Sequence, residues 1–246
     1  MSSLKEEVAL ITGANRGIGK SLVAHALKLG VGRVYATSRT EAGLDDLKAA
    51  FGDSVKTLLL DLERPDTIRA AAAQAGDTTF VINNAGILDS ADALDEHAVR
   101  SLEKQLLVNT TGLLHVAQAF APVLKANGGG ALAQLNSVVS IQSLPGAATY
   151  SASKAASYSL TLALRQELGA QGTHVISVHP GPIATDMARE AGIHHLGESP
   201  EAVSEAVFRA LQEKTFHVFP DSVAQQVWQQ YESYAASLNE GLALPA

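Results

Sequence analysis

Three polar residues that could transfer a proton lie in one stretch of the chain. Tyr150 and Lys154 are four residues apart in a stretch that favours a helix, and Ser137 precedes Tyr150 by thirteen residues. At about 1.5 Å rise per residue, the two side chains of Tyr150 and Lys154 emerge on one face of that helix, about one turn apart. Ser137 follows the apolar run 131–135, which is typical of a buried strand. The three groups can therefore meet where a strand ends beside a helix.

The expected chemistry is acid/base catalysis by the phenol of Tyr150. A free phenol has a pKa of about 10 and is a poor base at neutral pH. An ammonium about 4 Å away, at an effective dielectric of about 20, favours phenolate by roughly 4 kcal/mol, or about three pKa units. We therefore expect Lys154 to lower the pKa of Tyr150 and Ser137 to polarise a carbonyl oxygen. The ordinary alternative is a surface Tyr-x-x-x-Lys pair and a serine that only forms a turn.

Composition limits the kind of protein. With 246 residues, 46% of them hydrophobic, the chain can bury one large core, and we expect a single domain over residues 1–246. The net charge of −7 argues against nucleic acid or an anionic membrane as the main partner. The absence of cysteine excludes disulfides and thiol catalysis. Since no apolar run approaches about 18 residues, we expect a cytoplasmic protein.

The elements around these residues alternate between strand-like and helix-like patterns. Runs typical of strands occur at 8–12, 33–38, 55–61, 79–83, 131–137, 174–179 and 216–219. Runs typical of helices lie between them, at 17–29, 67–75, 98–126, 151–170, 200–213 and 221–239. Such alternation predicts right-handed βαβ units. We expect an α/β Rossmann fold, a doubly wound seven-stranded, mostly parallel sheet with helices on both faces.

A glycine-rich turn follows the first strand. Glycines there let the backbone approach a pyrophosphate, and the helix that follows offers free N–H groups and a favourable dipole. The spacing is Gly-x-x-x-Gly-x-Gly, which matches the commoner dinucleotide fingerprint only in part. A tight connection without a ligand is the alternative. The residues expected to bind a dinucleotide here are Gly13, Asn15, Arg16, Gly17, Ile18 and Gly19.

The end of the second strand indicates which dinucleotide binds. NAD sites place an acidic residue there for the ribose hydroxyls, whereas NADP sites carry neutral and basic groups for the 2′-phosphate. This chain has Ser38 and Arg39, and Arg16 could reach the same place. We therefore predict NADPH as the preferred cofactor. The alternative is that both arginines are solvated surface residues.

At this point the residues resemble the short-chain dehydrogenases/reductases, over almost the whole chain and especially the carbonyl reductases. The resemblance rests on the turn 12–19, Asn83-Asn84-Ala85-Gly86, Asn109, Ser137, Tyr150 with Lys154, and Pro180-Gly181. It implies a single Rossmann-type domain with a nicotinamide cofactor and a homo-oligomer, either a tetramer or a dimer.

The resemblance also implies residue roles. Tyr150 is similar to the family's general acid/base, Lys154 to the group that tunes it and binds the nicotinamide ribose, and Ser137 to the hydroxyl that orients the carbonyl. Asn109 is similar to the asparagine that interrupts a helix and supports a proton relay to Lys154. Further cofactor contacts are implied at Asp61, Leu62, Asn83, Ala85, Gly86, Pro180, Gly181, Ile183 and Thr185.

The expected substrate is a hydrophobic ketone or aldehyde. An apolar pocket beside Ser137 is predicted from Val139, Leu144 and the substrate loop 187–199, with Met187 at its start. Ser140 stands where the family usually has glycine, so it is expected to face this pocket or a neighbouring turn. A quinone, an imine or a steroid is an alternative substrate, and a non-catalytic dinucleotide sensor is an alternative of another class. No metal is expected, because His194 and His195 have no carboxylate cluster with them.

Overall fold

A single parallel sheet of seven strands forms the centre of the molecule. The computed structural model describes residues 4–241, with side chains described to residue 232. The strands are β1 Val8–Ile11, β2 Arg33–Ser38, β3 Lys56–Leu59, β4 Phe80–Asn83, β5 Ala131–Leu135, β6 His174–Val178 and β7 His217–Val218. Their order is β3-β2-β1-β4-β5-β6-β7, and every pair is parallel. The predicted doubly wound fold is confirmed.

Helices cover both faces of the sheet. They are α1 Gly17–Lys28, α2 Glu41–Phe51, α3 Pro65–Gln74, α4 Ala98–Gln105, α5 Gly112–Ala126, α6 Ala148–Gly169, α7 Asp186–Glu190, α8 Pro200–Glu213 and α9 Ser222–Gly241. One face of the sheet packs against α1 and α8 through residues such as Leu22 and Phe208. The other packs against α3, α5 and α6 through residues such as Ile68 and Phe120. Two apolar layers therefore hold the strand ends in fixed positions.

Helix α2 was not expected from the sequence. Its weak signal comes from Gly43, which lowers helix propensity in the first turn. The structure explains the glycine: a Cβ there would lie 2.1 Å from the Ser38 hydroxyl oxygen. The helix still forms because Thr40 caps it by accepting a hydrogen bond from Gly43 N at 3.2 Å. Close packing on β2 has overridden local propensity.

The predicted helix 98–126 is divided by a π-helical segment over Leu106–Thr111, between α4 and α5. By length and composition alone, Ala98–Ala126 is apolar enough to cross a membrane. Its apolar side chains, however, include Val116, Phe120 and Leu124 of the buried core. Part of the stretch therefore belongs to the core, where these side chains pack against the sheet. Asn109 lies inside the π segment, where an extra backbone residue per turn changes the direction of the side chains.

Candidate active site

A cavity of about 740 Å³ lies at the carboxyl ends of the strands. Most of the predicted site residues line it: Gly13, Asn15, Arg16, Gly17, Ile18, Arg39, Asp61, Leu62, Ala85, Gly86, Ser137, Val139, Leu144, Tyr150, Lys154, Pro180, Gly181, Ile183, Thr185 and Met187. Five others do not line it and support it from behind: Gly19, Ser38, Asn83, Asn109 and Ser140. The structure thus brings the two halves of the predicted site into one space.

The proton-transfer residues come from two adjoining elements. Ser137 follows β5 and caps a 3₁₀ turn at Val138–Ser140, and its hydroxyl accepts a hydrogen bond from Val139 N at 3.3 Å. Tyr150 lies in the first turn of α6, and Lys154 lies one turn later on the same helix. The Lys154 ammonium is buried and donates to the Leu135 carbonyl at 2.8 Å. The predicted meeting of a strand end and a helix turn is what the structure shows.

The electrostatics differ from the expectation. Burial raises the pKa of Tyr150 to about 12, and its hydrogen bond with Ser137 lowers that pKa only in part. Burial also lowers the pKa of Lys154 to about 8. The Lys154 Nζ lies 5.8 Å from the centre of the Tyr150 ring and donates its hydrogen bond to the Leu135 carbonyl. The predicted lowering of the Tyr150 pKa by Lys154 is wrong in this structure, because loss of hydration is the largest influence on that pKa and Ser137, not Lys154, is the group that opposes it.

Asn109 supports the site without facing the cavity. Its side-chain oxygen accepts from Ile87 N at 2.9 Å, and its amide nitrogen donates to Ile87 O at 3.0 Å. The same nitrogen donates to the Ser153 hydroxyl at 3.1 Å, next to Lys154. A Cβ on Gly86 would lie 3.0 Å from the Asn109 oxygen and 3.6 Å from Lys154 Nζ. Asn109 therefore joins the segment after β4 to helix α6 at the lysine.

The glycine-rich turn has the backbone that a dinucleotide requires. Gly13 and Gly17 have φ of +61° and +52°, in the left-handed region that favours glycine. A Cβ on Gly13 would be 3.0 Å from Ala85 Cα, and one on Gly17 would be 3.2 Å from Thr185 Cγ2. Helix α1 begins after Arg16, and no side chain caps it. Its first N–H groups are therefore left for a ligand at the cavity. The residues present fit the phosphates of a dinucleotide.

Gly19 and Asn83, both predicted to contact the cofactor, lie in the packed interior behind the cavity. A Cβ on Gly19 would lie 2.1 Å from the Gly13 carbonyl oxygen, so this glycine allows α1 to pack against the turn. Asn83 is buried, accepts from the Thr12 hydroxyl at 2.9 Å and donates to Gln134 at 2.7 Å. Both residues are therefore one layer behind the cavity wall. Both support the residues that make that wall, and their contact with a cofactor stays a prediction.

Thr12 and Asn84 were missed as site residues. The Thr12 hydroxyl accepts from the backbone N–H groups of Asn84 and Ala85, both at 2.9 Å. The Asn84 amide donates back to the carbonyls of Thr12 at 2.9 Å and Gly13 at 3.1 Å. These bonds lock the two loops that flank the cavity floor. Their polarity at two strand ends was the available sequence signal.

At the end of β2 the cavity carries a cationic side chain. Arg39 is exposed, lines the cavity and makes no ion pair within the described part of the chain. Arg16 faces the cavity as well, and its guanidinium lies 3.6 Å from the carboxylate of Glu190 on α7. Ser38 does not join them, because its buried hydroxyl lies under Gly43 and accepts from Thr40 N at 3.4 Å. The expected contact of Ser38 with a 2′-phosphate is therefore not supported.

The apolar wall of the cavity lies beside Ser137. It includes the predicted Val139, Leu144 and Met187, and Ile193 of the predicted substrate loop 187–199. Two further apolar side chains, Ile87 and Leu88, were not predicted. Met187 lies in a loop whose two ends are joined by a hydrogen bond, which Ala184 N donates to Glu198 O at 2.8 Å. Ser140 is absent from this wall. Its hydroxyl donates to the Ser137 carbonyl and contacts His179 Nδ1 at 2.9 Å, so only the neighbouring-turn alternative for Ser140 agrees with the structure.

Comparison with known proteins identifies the class that this fold and site define. A family model described as short chain dehydrogenase matches residues 7–195. A relative described as putative oxidoreductase SadH, from Mycobacterium tuberculosis, is 32% identical over 228 residues, which are 86% of this chain and 79% of the relative. The chain therefore belongs to the short-chain dehydrogenase family, as the sequence motifs predicted, and is an oxidoreductase of that family.

Two solved structures place the fold among proteins with different cofactors. A short chain dehydrogenase from Burkholderia cenocepacia in complex with NADP has a TM-score of 0.86 and 34% identity, and covers 98% of this chain and 99% of its own. A relative from Burkholderia phymatum in complex with NAD has a TM-score of 0.83 and 22% identity, and covers 96% and 97%. At that lower identity the likeness shows the fold alone.

Proposed function

We propose that the protein is an NADPH-dependent carbonyl reductase, reversible as an alcohol dehydrogenase, that acts on a hydrophobic ketone or aldehyde. The observation that carries the proposal is the position of the Tyr150 phenol and the Ser137 hydroxyl on one wall of a cavity whose adjoining wall is apolar. A carbonyl oxygen that meets both hydroxyls leaves its apolar substituents against Val139, Leu144 and Met187. Aliphatic or aromatic ketones fit such a wall better than charged substrates do.

When bound, the nicotinamide supplies the hydride that the carbonyl carbon gains. Tyr150 donates its proton to the carbonyl oxygen, so the product is an alcohol and the phenol becomes a phenolate. The raised pKa of Tyr150, about 12, keeps the phenol protonated at neutral pH, which favours the role of acid in the reducing direction. Lys154 stabilises the phenolate once it forms, because its ammonium stands on the same helix face.

Ser137 orients the carbonyl oxygen. Its hydroxyl oxygen lies 3.3 Å from the Pro180 carbonyl, which is long for an O–H···O bond, so the hydroxyl hydrogen is only weakly held there. Exchanging this bond for one to the substrate oxygen costs little, and the new bond strengthens as negative charge develops on that oxygen. Ser137 therefore contributes most in the transition state.

The preference for NADPH is supported by Arg39. An exposed guanidinium at the end of β2 suits a 2′-phosphate, which it can bind through two parallel hydrogen bonds. The relative from Burkholderia cenocepacia, described in complex with NADP, agrees with this assignment. Residues Gly13, Asn15, Gly17 and Ile18 would hold the pyrophosphate, and Ile183 and Thr185 the nicotinamide amide.

We also propose a homo-oligomer. Three large apolar side chains are exposed on the surface of α4, the π segment and α6, namely Val99 at 71%, Leu107 at 44% and Leu162 at 39%. Covering them would bury apolar area between copies. Light scattering after gel filtration tests this, and a monomer at micromolar concentration would contradict it. The cytoplasmic location stays a prediction from composition.

The function is tested by NADPH consumption against aliphatic, aromatic, dicarbonyl and steroid ketones, with NADH in parallel. We expect turnover of hydrophobic ketones with NADPH. The matched control is Tyr150→Phe, which keeps the ring and removes the proton; it should lower kcat by about 10²–10⁴-fold while NADPH still binds. Retained turnover in that variant would refute the role of Tyr150. Cofactor binding without turnover of any carbonyl would favour the sensor alternative.

A further inference from the structure

A buried histidine lies directly behind the proton-transfer residues. His179 directly follows β6, is fully buried and does not line the cavity. Its ring stacks on Phe219 with centres 5.0 Å apart and meets the edge of Tyr158 at 4.7 Å. The ring therefore has one position, and its two nitrogens point at fixed partners.

The partners of the ring define which nitrogen carries the proton. His179 Nδ1 lies 3.2 Å from the Ser137 carbonyl oxygen, which can only accept, so Nδ1 must donate. The Ser140 hydroxyl, 2.9 Å from Nδ1, donates its own hydrogen to that same carbonyl and is free to accept from Nδ1. The carbonyl contact favours the tautomer that is protonated at Nδ1, and the Ser140 contact is compatible with it.

The other nitrogen continues a directed chain of hydrogen bonds. Nε2 of His179 accepts from the Ser177 hydroxyl at 2.7 Å, and Ser177 accepts from the Asn136 amide at 2.9 Å. The Asn136 oxygen accepts from the Ser157 hydroxyl at 2.8 Å. Ser157 lies on α6, less than one turn after Lys154. The chain thus runs from the helix of Tyr150 and Lys154, through the strand ends, to the carbonyl of Ser137.

We propose that His179 is a positioning residue for proton transfer: its Nδ1–H holds the Ser137 carbonyl and so sets the place of the Ser137 hydroxyl beside Tyr150. The Ser137 carbonyl begins the 3₁₀ turn at Val138–Ser140, so a shift of that carbonyl moves the whole turn. Burial lowers the pKa of His179 to about 3, so the ring is neutral and keeps this role across the working pH range.

Two substitutions separate positioning from packing. In His179→Asn the side-chain amide replaces the Nδ1–H group, whereas in His179→Gln it reaches only to the place of Nε2. Both remove the ring, and both should lower the melting temperature. We expect His179→Asn to keep kcat within about threefold, and His179→Gln to lower kcat by about 10²-fold, the loss typical of a misplaced catalytic group, with little change in KM. Equal kcat in the two variants would overturn the proposal.

The control is His217→Gln. Unlike His179, His217 is only partly buried; its ring lies 5.9 Å from that of His179, and it hydrogen-bonds the Tyr158 hydroxyl at 2.7 Å instead of the Ser137 carbonyl. Its substitution should lower stability and leave kcat unchanged. A loss of kcat equal to that of His179→Gln would show that disturbance of the cluster alone is responsible, which would contradict the proposal.

Because the inference rests on the proposed function, a second measurement needs no substrate. Nitrogen NMR of the full-length protein should show His179 protonated at Nδ1 and unprotonated at Nε2; the opposite tautomer would refute the proposal.

With ¹³Cζ-labelled tyrosine, the Tyr150 signal in His179→Gln should move toward its position in Ser137→Ala and stay in place in His179→Asn. Correct NMR results with no turnover of any ketone would reject the reductase assignment alone, whereas turnover with an unmoved Tyr150 signal would reject the role of His179 alone.

Discussion

The ammonium of Lys154 and the carbonyl of Leu135, 2.8 Å apart, tie the catalytic helix to the end of the central strand. Lys154 is 4% exposed, so its charge is stabilised mainly by this hydrogen bond and hardly at all by water. An ammonium in such a place lowers the stability of the fold when it is charged. The same bond leaves the ammonium near the Tyr150 ring, where it is required when the phenol ionises.

A pH-dependent stability follows from Lys154. Its pKa is 10.5 in the unfolded chain and about 8 in the fold, so between pH 8 and 10.5 the unfolded state binds more protons. Stability therefore rises with pH over this window, by an amount of about 3 kcal/mol in all, and the cost of the charge is complete below pH 8. Relative to Lys154→Met, the wild type should gain unfolding free energy from pH 8 to 10, as urea titrations would measure. A constant difference would show that the lysine pKa is not lowered.

The two reaction directions should respond differently to pH. Reduction uses the protonated phenol of Tyr150, which is the predominant form below its pKa of about 12, so kcat for the ketone should be flat from pH 6 to 7, where Lys154, with a pKa of about 8, is also charged. Oxidation of the alcohol uses the phenolate, so its rate should rise by about tenfold per pH unit over the same range. The matched measurement follows NADPH consumption and NADP⁺ reduction in the same buffers. A plateau in the oxidation rate below pH 8 would show that the pKa of Tyr150 is lowered near neutrality instead.

Two glycines make a matched test of packing. Gly43→Ala would place a Cβ 2.1 Å from the Ser38 oxygen and 2.9 Å from its Cβ, so it should cost about 1–3 kcal/mol of stability. At Gly169, the last residue of α6, nothing lies within 4 Å of the same added atom. There alanine should stabilise by about 0.4–1 kcal/mol, since it restricts the unfolded chain. Thermal unfolding of both variants measures the difference, and equal melting temperatures would contradict the close packing at Ser38.

The sequence predicted those parts of the site whose signals are local. Seven strand patterns and the four-residue spacing of Tyr150 and Lys154 sufficed for the sheet, its cavity and the proton-transfer pair. Helix α2 was missed because Gly43 weakens its local helix signal, and that glycine is required by close contact with Ser38 on β2. The pKa of Tyr150 was predicted in the wrong direction, because burial depends on neighbours from distant parts of the chain. The contact of His179 with Ser137 spans 42 residues, so local spacing carried no sign of it.

The last prediction concerns cofactor choice at Arg39. Replacing Arg39 by Asp removes a cation from the cavity edge and adds an anion that repels a 2′-phosphate, as in NAD sites, where an acidic residue binds the ribose hydroxyls. A charged hydrogen bond contributes about 1.5–3 kcal/mol, so kcat/KM with NADPH should fall by about 10–10²-fold, while kcat/KM with NADH rises or is unchanged. The control is Arg69→Asp, an exposed arginine on α3 outside the cavity wall, which changes the net charge equally. If both variants keep the wild-type ratio of NADPH to NADH, Arg39 does not recognise the phosphate; if both lose it, the overall charge of the protein is responsible.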